Sequence, residues 1–337
     1  MDKKYIYTLI IAALIIFAFF VMQSKRTPQV RYFHNEGLIF GTGYSIKYQY
    51  SENIIDTIDV ELKKIDAVFS TFNPNSVISK INRNDTTVVL NDWFITLFEK
   101  SQEVSRESDG AFDITVAPLV NAWGFGFRKE EPVNQSVIDS LLKMVGYTTV
   151  HLENNRIVKE NKQTMLDVAA IAKGYACDII ASLLESKGIK NYLVEIGGEM
   201  CAKGLNQKGE CWVVGIQKPT ENPKKNDFLQ QKIRLCEGAL ATSGNYRNFY
   251  YKNGKKYAHT IHPKTGYPEL NNLLSVSVIA PDCMTADAYA TAFMVSGVEK
   301  SKEILRKHPE LHAYLIYSDE SGDLQVYYTE SLKKYLL

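Results

Sequence analysis

The chain has 337 residues, 45% hydrophobic and 23% charged, with a formal charge of +1. That length supports one large domain or two small ones, each with a proper core, and the composition is ordinary for a folded soluble protein. The balanced charge argues against a nucleic-acid binder, since no basic excess exists to displace counterions from phosphates.

Tyr5–Met22 is an uncharged apolar run preceded by Lys3 and Lys4, about the length a bilayer needs. No small-x-small pair marks a cut and no Cys follows for lipid attachment. Residues 1–23 therefore read as a retained membrane anchor, with a cleaved signal peptide as the other reading. A polar linker, residues 24–31, contains Pro28, and residues 32–337 read as one domain.

Gly37–Tyr50 alternates as a strand through Ile39, Thr42, Tyr44, Ile46 and Tyr48. Ile54–Phe69 and Asp92–Ser108 carry helical periodicity, with a shorter helical turn at Ser76–Asn82. In Gly110–Phe127, Pro118, Gly124 and Gly126 forbid a long helix. Its Trp123, Phe125 and Phe127 either plug a core or wall a planar ring. A buried Asp113 there needs a partner. Ser136–Val145 reads as a short helix, and Thr148–His151 with Arg156–Val158 as a hairpin.

The stretch Leu166–Met200 reads as a strand into Asp167, a small-residue turn Ala169–Gly174, a helix stopping near Gly188, and a strand Asn191–Ile196. Small residues and unpaired amides at a helix entrance favour anions, and Lys173 adds a positive charge. An ordinary strand–helix–strand unit with a solvated Lys has the same pattern, because AKGYA lacks P-loop spacing. Further on, Cys211–Gln217, Gln231–Thr242 and Leu273–Ala280 read as strands, with a hairpin turning at Asn253-Gly254. Thr285–Val295 and Glu299–Lys307 read as helices, and His312–Ser318 with Leu324–Thr329 as a closing hairpin. Irregularly mixed helices and hairpins indicate an α+β fold with mixed, largely antiparallel sheets flanked by helices.

Three segments concentrate chemistry. In TADAYAT, Asp287 and Thr291 stand four apart, on one face of a helix. They offer an oxygen-only pair to a hard cation, or Thr285 caps the helix and Asp287 complements its dipole. In HTIHPKTG, His259 can move a proton near neutral pH, or His259 and His262 can ligate a transition metal. In TSGNYRNFY, Arg247 either binds phosphate or braces the fold. Five Cys without a CxxC pair exclude a zinc site of the usual spacing, and Cys201 and Cys211 can face each other across a hairpin.

Together the segments STFNPNSVISKIN, GAFDITVAPLVNAWGFG, LDVAAIAKGYACD, LVEIGGE, ATSGNYRNFY, HTIHPKTGYP and TADAYAT resemble the ApbE-type FAD:protein FMN transferases. They stand in the family's order and spacing over nearly all of the chain after the linker. The resemblance implies that FAD is the substrate, that Mg²⁺ is required, and that FMN passes to a Thr or Ser hydroxyl of an acceptor protein, releasing AMP. It implies an acceptor in an ion-pumping or extracytoplasmic electron-transfer complex, and a catalytic domain outside the cytoplasmic membrane. By position, Asp287, Thr291 and the Ala170 carbonyl correspond to Mg²⁺ ligands, and His259 to the catalytic histidine. Phe40, Thr42, Phe72, Ala111, Phe112, Asp113, Lys173, Ile261 and Thr265 correspond to FAD-contacting positions. Phe40 replaces the family's Met, and His262 replaces an Asp in the Asp-Pro-Arg-Thr-Gly turn; a neutral imidazole can still accept a hydrogen bond there. An FAD pyrophosphatase and a tethered, non-catalytic flavin binder are the alternatives.

Overall fold

The computed structural model describes residues 30–126, 133–220, 229–245, 249–252 and 255–337. The apolar run Tyr5–Met22, Phe127, Arg247 and the Asn253-Gly254 turn lie outside these. Among the described residues no helix is long and apolar enough to cross a membrane.

Arg31–Ile39 (β1) and Thr42–Tyr50 (β2) form a hairpin where one strand was expected. The turn is Phe40-Gly41, both with positive φ (55° and 74°). Such a turn suits glycine, and a Phe in its first position hides it from a sequence reader. Helices α1 (Ile55–Phe69), α2 (Val77–Asn82), α3 (Asp92–Glu107), α4 (Ala117–Ala122) and α5 (Gln135–Leu142) follow. A ribbon of β3 (Val150–Glu153) and β4 (Arg156–Lys159) comes next. The strand expected to enter Asp167 is reduced to one isolated bridge, Val116 to Met165.

Helix α6 (Ala172–Ser186) leads into β5 (Tyr192–Ile196) and β6 (Glu199–Lys203). Next come the ribbon β7 (Trp212–Gln217)–β8 (Leu229–Leu235), then β9 (Glu237–Gly244). A second ribbon, β10 (Phe249–Lys252)–β11 (Lys255–Ala258), precedes β12 (Leu273–Ala280) and helix α7 (Cys283–Leu305). The chain then adds β13 (His312–Ser318) and β14 (Leu324–Tyr328). Eight strands make one sheet in the order β1-β2-β5-β6-β9-β12-β13-β14, each antiparallel to its neighbours.

Alternation along the strands divides the core. Ile46, Tyr48, Val194, Ile196, Ala239 and Ala241 face the helices, with Ile58, Phe94, Ile180 and Phe293 packed on them. Leu240, Ile279, Tyr314 and Ile316 face the other way and are covered by Trp212, Val214, Ile216, Ile233 and Leu235 of the β7–β8 ribbon. Helix α7 is buried along nearly its whole length, and Gly297 (φ 73°, ψ 177°) breaks it where two helices were expected.

Gln231–Thr242 is not one strand either. Cys236 turns the chain from the ribbon into the main sheet and is bonded to Cys211, not Cys201. Cys211 precedes β7 and Cys236 follows β8, so the bond ties both ends of the ribbon. Closing a loop of this size contributes roughly 3 kcal/mol in chain-entropy terms. Cys201 of β6 instead lies buried with Cys177 of α6 and Cys283 of α7, and its thiol donates to Asp178 Oδ1 at 3.0 Å.

Candidate active site

A cavity of about 540 Å³ opens at one end of the sheet. Thr42 at the start of β2, Gly197 in the β5–β6 turn and Thr242–Gly244 at the end of β9 form its sheet side. Facing them are Ala169, Ala170 and Lys173 at the start of α6, Asp287 and Thr291 of α7, the Ala111–Ile114 turn, and His259–Ile261. Segments far apart in sequence therefore meet on one wall.

The contact between α6 and α7 fixes the polar centre. A Cβ on Gly174 would stand 2.2 Å from the Cys283 carbonyl oxygen and 2.8 Å from Asp287 Cβ. Glycine lets the helices close, and the Gly174 amide, unpaired in the first turn of α6, donates to Asp287 Oδ2 at 2.9 Å. Lys173 Nζ lies 3.7 Å from Asp287 Oδ2 and 3.6 Å from Glu199 Oε1, and donates to the Ala169 carbonyl at 2.9 Å. We predict that Gly174→Ala forces these backbones apart, at a cost of roughly 1–3 kcal/mol. A lowered thermal midpoint together with weakened FAD binding is the expected result; a variant identical to the parent in both would contradict this account of the contact.

Asp287 is only 2% exposed. The helix-capping jobs it could have shared with Thr285 are done by other residues. Asp282 Oδ1 accepts the Thr285 amide at 2.8 Å, and Asp178 accepts the Cys283 and Met284 amides, each at 2.8 Å. Asp287 is thereby left to the cavity. Burial pushes its carboxyl above the usual range, against the pull of Lys173 and the Gly174 amide. Burial favours a neutral Lys173, but Asp287 and then Glu199 outweigh it and raise the ammonium's pKa. Thr291, one turn beyond Asp287, places Oγ1 3.1 Å from Ser243 Oγ.

Glu199 was not singled out from the sequence. It is buried, its Oε2 has no hydrogen-bond partner among the described residues, and burial pushes its pKa up to about 8. Lys173 pulls that value down, and Asp287 and Cys283 push it up. The overlooked signal is the pleat: Glu199 and Cys201 share the inward side of β6, so a carboxylate two residues before an inward Cys must itself point in.

Ala111, Phe112, Asp113, Thr42, Lys173, Ile261, Ala170, Asp287, Thr291 and His259 all line the cavity. The buried Asp113 finds its partners in Thr115 N and Oγ1, at 2.7 and 2.6 Å, and Tyr147 N at 2.8 Å, so its carboxylate braces the loop. Phe125 reaches the cavity with its ring edge-on to His259, centroids 6.4 Å apart. Trp123 instead plugs a core, its Nε1 donating to the Gly266 carbonyl at 2.8 Å.

Three expected contact residues lie elsewhere. Phe40 and Phe72 share a neighbouring depression of about 440 Å³ with Gly41, Asp66, Ser70 and Asn73, and Phe72 is 72% exposed. Thr265 is exposed in the turn after Pro263 and is absent from the cavity wall; its Oγ1 accepts the Tyr267 amide at 3.4 Å. His262 Nδ1 accepts the Lys264 amide at 3.1 Å, so the imidazole makes a turn-bracing bond of the kind a carboxylate would make.

Fold and cavity together define an α+β ligand-binding domain, its site an ammonium set between buried carboxylates at the end of an antiparallel sheet. A family model described as the ApbE family matches residues 40–315, and the chain belongs to that family. Among relatives, the FAD:protein FMN transferase of Haemophilus influenzae is 36% identical over 303 residues, covering 85% of this chain and 86% of that protein. The Escherichia coli (strain K12) protein of the same name is 33% identical, covering 96% and 97%. The solved structure of the flavin transferase ApbE from Vibrio cholerae superposes with a TM-score of 0.82 at 32% identity, covering 91% of this chain and all of that one. That of the Pseudomonas stutzeri flavinyl transferase ApbE, apo form, gives 0.79 at 28% identity, covering 90% and 96%.

Proposed function

We propose that this protein transfers FMN from FAD to a Thr or Ser hydroxyl of an acceptor protein, releasing AMP, in a reaction that requires Mg²⁺. The observation that carries the reading is the convergence of Lys173, Asp287, Thr291 and His259 on one cavity. The relatives' shared name supports it.

The acceptor oxygen forms a bond to the FMN-side phosphorus as the bond from that phosphorus to the AMP oxygen breaks. Such a displacement asks the protein for alignment, charge neutralisation and a proton carrier. His259 takes the hydroxyl proton or delivers one to leaving AMP. Lys173, held at the mouth of α6, presents positive charge to the diphosphate. Phe112 and Ile261 present apolar surface to the ligand's rings.

The donor chemistry of the wall fits a hard cation: the Asp287 carboxylate and Thr291 hydroxyl are oxygen ligands, with Ala170 beside them. Among the described residues no group of three His, Cys, Asp or Glu forms a metal site. Bound at Asp287, Thr291 and the Ala170 carbonyl, Mg²⁺ would supply neutralisation of the diphosphate's charge.

We place the domain on the extracytoplasmic side of the cytoplasmic membrane, tethered through residues 1–23. The apolar run and the Cys211–Cys236 bond support this, because disulfides persist in oxidising compartments. The acceptor is then a subunit of an ion-pumping or electron-transfer complex exposed on that side. Incubation with FAD and Mg²⁺, with and without acceptor, separates transfer from hydrolysis. Transfer predicts AMP release that depends on the acceptor; equal AMP and free FMN without it would make the protein a pyrophosphatase.

A further inference from the structure

The sheet face turned away from the helices carries a second depression, of about 620 Å³. Its floor is a single cross-strand row. Glu36 of β1 is opposite Ser45 of β2, Ser45 opposite Glu195 of β5, Glu195 opposite Met200 of β6, and Met200 opposite Leu240 of β9. All five residues line the groove, and Gly215 and Gln217 of β7 wall it on one side. The ribbon covers Leu240, so the open row ends at Met200; its three inter-strand steps of about 4.8 Å give a length of about 14 Å, enough for about four extended residues.

This groove and the candidate active site share three wall residues: Thr42, Gly197 and Thr242. They meet at the β5–β6 turn, where the Gly197 amide donates to the Gly43 carbonyl at 2.9 Å. A Cβ on Gly197 would stand 3.0 Å from Thr42 Cγ2, 3.1 Å from Lys173 Cδ and 3.3 Å from Glu199 Oε2. The absent side chain keeps the boundary between groove and ionic centre thin. Character changes along the floor, from Glu36, Ser45 and Glu195 at one end to Met200 at the other.

If FAD fills the cavity, the attacking hydroxyl needs a second approach to the diphosphate. We infer that the groove seats an extended segment of the acceptor polypeptide, polar over Ser45 and Glu195 and apolar over Met200, with its hydroxyl-bearing residue delivered at Gly197. The inference rests on the transferase reading. The segment crosses the strands instead of adding to them, so recognition is by side chains along the row.

The test uses the full chain with FAD, Mg²⁺ and the unmodified soluble domain of a redox subunit that carries FMN on Thr. Ser45→Trp fills the middle of the groove with a residue type common in strands. Glu195→Arg inverts the charge beside it. Each is expected to raise the acceptor KM at least about tenfold, with kcat and FAD affinity within about twofold of the parent. An acceptor KM unchanged in a Ser45→Trp protein that still binds FAD would overturn the inference and leave the transferase reading standing. Where Ser45→Trp fails to fold, Glu195→Arg decides by the same criterion. An unaltered protein that transfers no FMN would overturn the transferase reading as well.

Discussion

Asp287→Ala is expected to abolish FMN transfer while the protein stays folded. The carboxylate sits among Lys173, the Gly174 amide and Thr291, and Asp282 and Asp178 already hold the α7 terminus. Its removal takes away the charged oxygen donor of the proposed cation site. It also leaves Lys173 with Glu199 as its ion-pair partner and the Ala169 carbonyl as its acceptor. A loss of at least about 1000-fold, close to 4 kcal/mol of barrier, is the expected size. The fold should tolerate the change, because a desolvated carboxylate with a raised pKa is itself costly to bury. Asp287→Asn, which can keep the Gly174 hydrogen bond but not the charge, should be nearly as inactive. Acceptor-dependent AMP release measures the first effect and thermal unfolding the second. Full activity in Asp287→Ala would remove the assignment.

His259→Ala separates binding from chemistry. The imidazole lines the cavity beside Phe125, while the Lys173 centre and the Phe112 wall lie on other segments. FAD affinity should therefore stay within a few-fold of the parent while turnover drops about 100- to 10,000-fold, the range expected for a lost proton carrier. Equilibrium flavin binding and single-turnover AMP release read the two quantities. Unaltered turnover would exclude His259 from proton transfer.

Much of the fold was legible where periodicity had no competitor. Leu273–Ala280 is a β-branched strand with both faces covered, and its bounds agree with the sequence reading to the residue. The helices at Ile55–Phe69 and Asp92–Glu107 show their apolar stripes plainly. What failed were the breaks. Phe40-Gly41 turns the chain without an Asn-Gly or Asp-Gly signal, and Cys236 turns it inside a run that keeps alternating. Gly41 alone, inside an alternating strand pattern with Gly43 two residues on, also reads as a close-approach glycine, and Cys has no turn preference.

The site was legible in pieces and not as a whole. Spacing put Asp287 and Thr291 on one helical face, but a cap and a dipole partner have the same spacing. Only the tertiary arrangement, with Asp282 and Asp178 doing the capping, releases Asp287 for the cavity. Convergence of AKGYA, TADAYAT and HTIHP was implied by family resemblance, since no local rule brings together segments separated by tens of residues or more. Glu199 went unassigned because a single acidic residue after Gly-Gly reads as a turn until the pleat of β6 is known.

The most direct measurement is the intact mass of an acceptor domain after incubation with this protein, FAD and Mg²⁺. A gain equal to FMN less one water, with one AMP formed per modified acceptor, is the predicted result. An acceptor of unchanged mass while FAD is consumed to FMN and AMP would contradict the account.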